Sequence, residues 1–257
     1  MKLVTWNVNS IRARHERLVG WLRQHQPDVV CLQETKVVDD TFPTASFAEL
    51  GYQVATLGQR TYNGVAIAAR SELIDVVRGL DDGDPDDQAR AISATVGGVR
   101  VVCVYVPNGQ AVGTDKYRYK LAWLARLRRF LDRSDPAQPL VLCGDMNVAP
   151  DDRDVHDPAR WAGDVLCSDA ERAALAEVLG WGLVDLYRDL HPEPGRYSWW
   201  DYRGVSFFRD WGLRIDHVFG TEAVRARLVA CDIDREARKG KDASDHAPVV
   251  LELRDPA

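Results

Sequence analysis

Apolar runs of strand length, each closed by a polar residue or a turn, recur along this chain and limit what it can fold into more than any other feature. KLVTWNV, DVVCLQE, YQVATLG, GVAIAAR, LIDVVRGL, ARAISATV, VRVVCVYV, PLVLCGD, LRIDHVFG and APVVLEL all read this way, and YSWWDY reads as a further strand. Two kinds of connection join them. ARAISATV and VRVVCVYV flank Gly97-Gly98, a hairpin signal. KLVTWNV and DVVCLQE are instead separated by a helix whose apolar positions Ile11, Leu18, Trp21 and Leu22 share a face. VRVVCVYV and PLVLCGD enclose a longer helix, capped by Thr114, in which Tyr117, Leu121, Leu124, Leu127 and Leu131 recur at helical spacing. Ser168 with Glu171 forms a capping box for another. Hairpins mixed with strand-helix-strand units predict an α/β chain built as two mixed β-sheets packed face to face with helices outside, not a doubly wound parallel sheet. No Pro/Gly/Ser linker interrupts the pattern, so residues 1–257 are expected to form a single domain.

Charge and cysteine usage narrow the function. No apolar run approaches the roughly 20 residues that cross a bilayer, and MKLVTWNVNS has neither the apolar core of a secretory signal nor the Arg/Ser character of a transit peptide. A soluble, cytoplasmic monomer is expected. The five cysteines, Cys31, Cys103, Cys143, Cys167 and Cys231, include no CxxC pair, which argues against a zinc site or a disulfide framework. Lys plus Arg number 33 against 39 Asp plus Glu, a net charge of -6, so any nucleic acid must be held by local basic groups and a metal. Lys36, Arg90, Arg203, Arg209, Arg214 and RKGK at 238–241 are the available cations. The acidic stretch at 81–87 reads as a solvated loop.

Chemistry collects where the strands end. Asn7, Glu34, Asp145 with Asn147, Asp216, and Asp245 with His246 all follow or close apolar runs, which sets them on one rim. Oxygen ligands without thiols suit a hard cation such as Mg²⁺, and Glu34 is the best direct ligand. His217, next to Asp216, is expected on the other face of its strand. The consecutive Trp199 and Trp200 likewise point to opposite faces, so one of them faces substrate.

LQETK at 32–36, YVPNG at 105–109, GDMN at 144–147, LRID at 213–216 and SDHAP at 244–248 occur in that order. From TWNVNSIRAR to SDHAPV the chain resembles the exonuclease III family of abasic-site endonucleases. The resemblance implies the endonuclease/exonuclease/phosphatase fold, a DNase I-like, four-layered α/β sandwich. It implies abasic-site endonuclease, 3′-to-5′ exonuclease and 3′-phosphatase activities on double-stranded DNA with abasic sites or 3′ ends, with Mg²⁺ or Mn²⁺ as cofactor. Carried over by position, Asn7 and Glu34 help to hold the metal, with Asp145, Asn147, Asp245 and His246 completing its surroundings. Asp145 orients or deprotonates the attacking water. Asn147 and Tyr105 donate to the phosphate, and Asp216 accepts from His246 and favours its imidazolium; the alternative makes His246 the base. Asn108, Trp199, Trp200, Arg203, Leu213 and Asp245 fall on the DNA side, with Trp199 flanking a small pocket for a baseless deoxyribose. Asn9 stands where some members carry an Asp, and YVPNG replaces YFPQG of the best-known bacterial form, which puts Asn108 in place of a Gln. Two rivals share these residues: a phosphatase or nuclease of the same fold acting on RNA or small phosphates, and a degenerate, non-catalytic binder of DNA ends.

Overall fold

In a computed structural model describing residues 1–84 and 86–255, every run named above becomes a strand except YSWWDY. The strands are β1 (Lys2–Asn7), β2 (Val29–Gln33), β3 (Gln53–Leu57), β4 (Val65–Ala69), β5 (Ile74–Arg78), β6 (Ala91–Val96), β7 (Val99–Tyr105), β8 (Leu140–Asp145), β9 (Val184–Asp185), β10 (Asp216–Gly220), β11 (Leu228–Ile233) and β12 (Val249–Leu253). They form two six-stranded sheets, ordered β11-β12-β1-β2-β4-β3 and β5-β6-β7-β8-β10-β9. Each sheet is antiparallel apart from one parallel pair, β1–β2 in the first and β7–β8 in the second. A parallel pair needs a crossover. Helix α1 (His15–His25) provides the first and α2 (Asp115–Leu131) the second.

Most strands are buried on both faces, which is why they read as nearly continuous apolar runs. Leu3, Val29, Cys31, Ile67, Val101, Cys103, Cys143 and Val218 pack between the sheets. Their neighbours Val4, Val30, Leu32 and Ala66 turn outward beneath Leu18, Trp21 and Leu22 of α1. On the far side Val102, Val104 and Leu142 lie beneath Leu124 and Leu127 of α2 and Leu175 and Val178 of α3 (Asp169–Leu179). Helix, sheet, sheet, helix gives four layers, and burying each Val, Leu or Ile contributes about 1.5–3 kcal/mol. All five cysteines are free and buried. Gly144 closes β8 where a Cβ would sit 1.9 Å from Val104 O, so only glycine lets β7 and β8 approach there.

Both predicted caps form: Thr114 Oγ1 accepts from Tyr117 N, and Ser168 and Glu171 cap α3 reciprocally. Three expectations need correction. YSWWDY is an irregular segment touching its neighbours through single bridges, Trp199 to Leu213 and Trp199 to His246, because it crosses the rim without joining a ladder. Ile11 precedes α1 and is buried in the turn, its N–H donating to Thr35 O. The acidic stretch is not simply solvated: Arg126 of α2 donates to Asp82 and Asp86, and Tyr119 donates to Asp86. Pro85, within that stretch, lies outside the described residues.

Candidate active site

Two parallel pairs place the ends of four strands on one rim. In the register of β1 with β2, Asn7 stands beside Gln33, so Glu34 follows immediately at the edge. In the second sheet Tyr105 pairs with Asp145, and Asp145 pairs across β8–β10 with Asp216. Asn7 Nδ2 joins the two sheets at this point, donating to Glu34 Oε1 at 2.8 Å and to Asp145 Oδ2 at 2.9 Å. Beyond β2 the chain turns sharply, and Glu34 (φ 51°) and Lys36 (φ 56°) take left-handed conformations that cost about 1–2 kcal/mol each for such residues. The turn is held by Ser10 N–H to Glu34 O and Thr35 N–H to Gly64 O. Strain of this kind persists where the surroundings over-determine it, as they do here.

His246 sits between two carboxylates. Its Nδ1 donates to Asp216 Oδ2 at 2.8 Å, and its Nε2 lies 3.8 Å from Asp145 Oδ2. Burial opposes a charged imidazole, but Asp216 and then Asp145 outweigh it, and the His246 pKa is pushed up to about 10. Asp145 is pushed up to about 7, chiefly by burial, with Asp216 and Glu34 adding to the effect and His246 and Asn7 opposing it. Burial, with Glu34 and Asp145 close by, holds the Tyr105 phenol well above its ordinary value, so it is a neutral donor. Asp245 is lowered despite its burial, by His246, Asn9 and the indole of Trp199. His217 does face the other way. Burial and then Arg214 lower its pKa to about 4, and it rests between the Arg214 guanidinium and Val148 O.

Glu34, Asp145 and His246 each bring a ligand-type atom within 4.8 Å of the others. An imidazolium cannot ligate a cation, so the two carboxylates, Asp145 buried and Glu34 half-buried, are the fitting donors, and paired oxygens of this kind suit a hard divalent ion. Asn7 ties those carboxylates together, while its own oxygen accepts the Asn9 amide. Asn147 and Asp245 stand outside the group. Asn147 Oδ1 accepts from Asn108 and its Nδ2 donates to Val106 O; Asp245 accepts from Asn9 and from Trp199 Nε1.

Residues 4–246 match the model of the endonuclease/exonuclease/phosphatase family. The chain belongs to that family. Within its exonuclease III branch, exodeoxyribonuclease III of Haemophilus influenzae is 34% identical across 99% of this chain and 100% of its own length. Among solved structures, a 3′ phosphatase from Neisseria bound to product DNA hairpin superposes with a TM-score of 0.97 at 43% identity, covering 99% of each chain. An AP endonuclease from Archaeoglobus fulgidus gives 0.95 at 40% identity, covering 98% of this chain and 99% of that one. As a member of the endonuclease/exonuclease/phosphatase family the protein is a metal-dependent hydrolase of the nuclease kind, on a fold these neighbours share.

Several residues expected on the DNA side of this family site are elsewhere. Trp200 is 0% exposed, packed on Phe207 with its indole N–H donated to Asp210, because the alternation that turns Trp199 to the rim turns Trp200 inward. Leu213 is also fully buried and supports Trp199 from behind. Arg214 is no surface cation: it is buried in ion pairs with Asp154 and Asp185. Arg90 is buried over the Tyr105 ring, Arg238 over Tyr202 and Phe207, and Lys36 is bound to Glu34 at 2.8 Å. Arg203 is exposed, as expected, beside Asp201. The sequence reading missed Asn9 as a bridge between Lys36 and Asp245, and Ser198, whose Oγ donates to Asp216 and accepts from its N–H. It also missed Lys120, fully buried, which donates to Asn108 O, Asn147 O and Glu171 and so fastens both phosphate-side turns to α3. Its place in an otherwise apolar helix face was the available signal.

Proposed function

We propose that the protein hydrolyses DNA phosphodiesters with Mg²⁺, or Mn²⁺ in its place, incising 5′ of abasic sites in duplex DNA and removing nucleotides or blocking phosphates from 3′ ends. The observation that carries this reading is the buried His246 held between Asp216 at 2.8 Å and Asp145 at 3.8 Å, with Trp199 beside them through Asp245. With Asp216 and Asp145 on either side, His246 already holds its proton near neutrality, which leaves the Asp145 carboxylate to take the proton of the attacking water. The water oxygen bonds to phosphorus as the bond from phosphorus to the 3′ oxygen breaks, and the departing 3′ oxygen takes a proton from solvent to become the 3′-hydroxyl. His246 and Tyr105 face the negative charge that develops on the phosphate, and Asn147 and Asn108 hold each other at its side. Glu34 and Asp145 would hold a divalent ion, whose charge would help to neutralise the phosphate oxygens. Trp199 is the partly exposed aromatic of its pair and forms the wall against which a baseless sugar fits.

This reading makes the protein a monomeric cytosolic enzyme working on chromosomal DNA; among the described residues no helix is long and apolar enough to cross a membrane. The test is a duplex carrying one abasic analogue and a second ending in a 3′-phosphate, incubated with Mg²⁺ and then with chelator. Incision 5′ of the lesion and release of phosphate, both abolished by chelator, are expected. Hydrolysis of a small phosphate ester with neither DNA product would overturn the assignment, and metal-independent DNA binding without turnover would favour a non-catalytic role.

A further inference from the structure

Abasic incision, 3′-phosphate release and removal of a 3′-terminal nucleotide break the same phosphorus–O3′ bond. They differ in what the phosphate carries on its other side: a baseless sugar continuing into DNA, nothing, or a nucleoside with its base. A tight wall at Trp199 accounts for the first and is irrelevant to the second. The third needs somewhere to put a base.

Beside Trp199 lies a cleft of about 220 Å³ that no step proposed above uses. Its walls include His156, Arg160, Trp161, Trp199, Arg203 and Trp211. The frame is fixed. Val155 bridges to Leu213, and His156 N–H donates to Gly212 O, so the 152–161 segment and the 201–211 loop are fastened at their base. A Cβ on Gly212 would meet Trp200 Nε1 at 2.6 Å and Trp199 O at 2.8 Å, so glycine lets the loop return against Trp199. Above this base the His156 and Trp211 rings are nearly parallel, 20° apart in plane and 6.1 Å between centres. Trp211 remains 38% exposed, with the Arg209 guanidinium 4.5 Å from its ring centre. The indole N–H of Trp161 is shielded from solvent and has no acceptor among the described residues.

We propose that this cleft is a nucleobase-binding subsite, which receives the base of a 3′-terminal nucleotide while the phosphate on its 5′ side is cut. Aromatic faces interleaved with arginines are what single-stranded bases bind, because stacking tolerates every base and the cations meet the phosphates. Continuity with the reacting centre is direct: Trp199 forms one wall, and its indole N–H holds Asp245, the neighbour of His246. An end suits this route. A frayed or mismatched terminal base loses little pairing when it leaves the stack, whereas an internal base loses a few kcal/mol, so the cleft serves ends and leaves intact duplex alone.

The inference rests on the DNA reading above, and its test separates the two. Trp211→Ala and Trp161→Ala are compared with wild type on three duplexes, ending in a mismatched nucleotide, ending in a 3′-phosphate, or carrying an internal abasic analogue. Stacking lost on substitution to alanine predicts that kcat/KM for removal of the mismatched nucleotide falls about tenfold, mainly through KM, while 3′-phosphate release stays within about twofold. Trp211→Phe should restore most of the loss. Binding of dAMP, measured by calorimetry on the Asp145→Asn protein with and without Trp211→Ala, should weaken by a similar factor, with inorganic phosphate bound equally by both. Equal losses on all three substrates would make these residues structural and overturn the proposal, as would unchanged nucleotide removal, dAMP binding indifferent to Trp211, or a wild type that removes no terminal nucleotide. Failure of wild type on every DNA substrate would instead sink the functional reading itself.

Discussion

Replacing Asp216 with Asn preserves the shape of its pair with His246 and removes the charge. In the native site Nδ1 donates to Asp216 at 2.8 Å while Nε2 stands 3.8 Å from Asp145, and the imidazole pKa is about 10. An ion pair at about 4 Å is worth ~4 kcal/mol at an effective dielectric of about 20, and one pKa unit corresponds to ~1.4 kcal/mol. Losing Asp216 therefore lowers the His246 pKa by about 2–3 units, to roughly 7–8. The protonated form of His246 is the active one, so the alkaline limb is lost as pH rises through this pKa, while Asp145, which must be ionised to act as the base, sets the separate acid limb. At about pH 9 the charged fraction drops from about nine-tenths to between about one and ten per cent, whereas near pH 6.5 it changes little. The assay is kcat/KM for 3′-phosphate release from a labelled duplex, followed across pH at saturating metal. The alkaline limb should move down by about 2 units or more, with a loss of roughly ten- to a hundredfold at pH 9 that shrinks on acidification. A uniform loss with the limb unmoved would show that Asp216 does not act by charging His246.

Asp145→Asn should lower turnover at least about a hundredfold while abasic-duplex affinity is kept or tightened, measured by single-turnover kinetics beside a binding titration; near-native turnover removes Asp145 from the chemistry. Glu34→Ala should raise the Mg²⁺ concentration for half-maximal activity, with partial rescue by excess metal, and an unchanged titration would mean that the ion is held elsewhere. Lys120→Met strands the buried Glu171 carboxylate and should cost about 3–5 kcal/mol in denaturant unfolding, partly recovered by adding Glu171→Leu; a cost near zero would show that the pair is not the clamp described. Trp199→Ala should reduce abasic incision more than 3′-phosphate release, and equal losses would make Trp199 a structural residue.

Much of the site was legible because strand ends are legible. Asn7, Glu34, Asp145 and Asp216 each close or follow an apolar run, and the crossover helices made both pairs β1–β2 and β7–β8 parallel, which fixed them on one rim. Period-two alternation likewise separated Trp199 from Trp200 and His217 from Asp216, although only packing decides which of the tryptophans is buried. What stayed hidden depends on distant partners. Arg214 reads as a surface cation until Asp154 and Asp185, 60 and 29 residues away, are seen around it. Lys120 looks like a polar position on a helix until Glu171 and the two asparagine turns enclose it. The left-handed turn at Glu34 and Lys36 leaves no trace in residue type, since neither residue favours that conformation.

The division between strands and loops gives the site its logic. Asn7, Tyr105, Asp145 and Asp216 are the last or first residues of strands locked into two six-stranded sheets, so the distances that matter for breaking the phosphorus–O3′ bond are set by ladder register. Trp161, Trp199, Arg203 and Trp211 lie on segments that join no ladder, held by single bridges and a few backbone hydrogen bonds. Substitutions in those segments can alter what accompanies the phosphate without disturbing how it is cut. That separation is why Asp216→Asn should change the pH profile on every DNA substrate alike, whereas Trp199→Ala and Trp211→Ala should each change the ranking of substrates and leave the profile where it was.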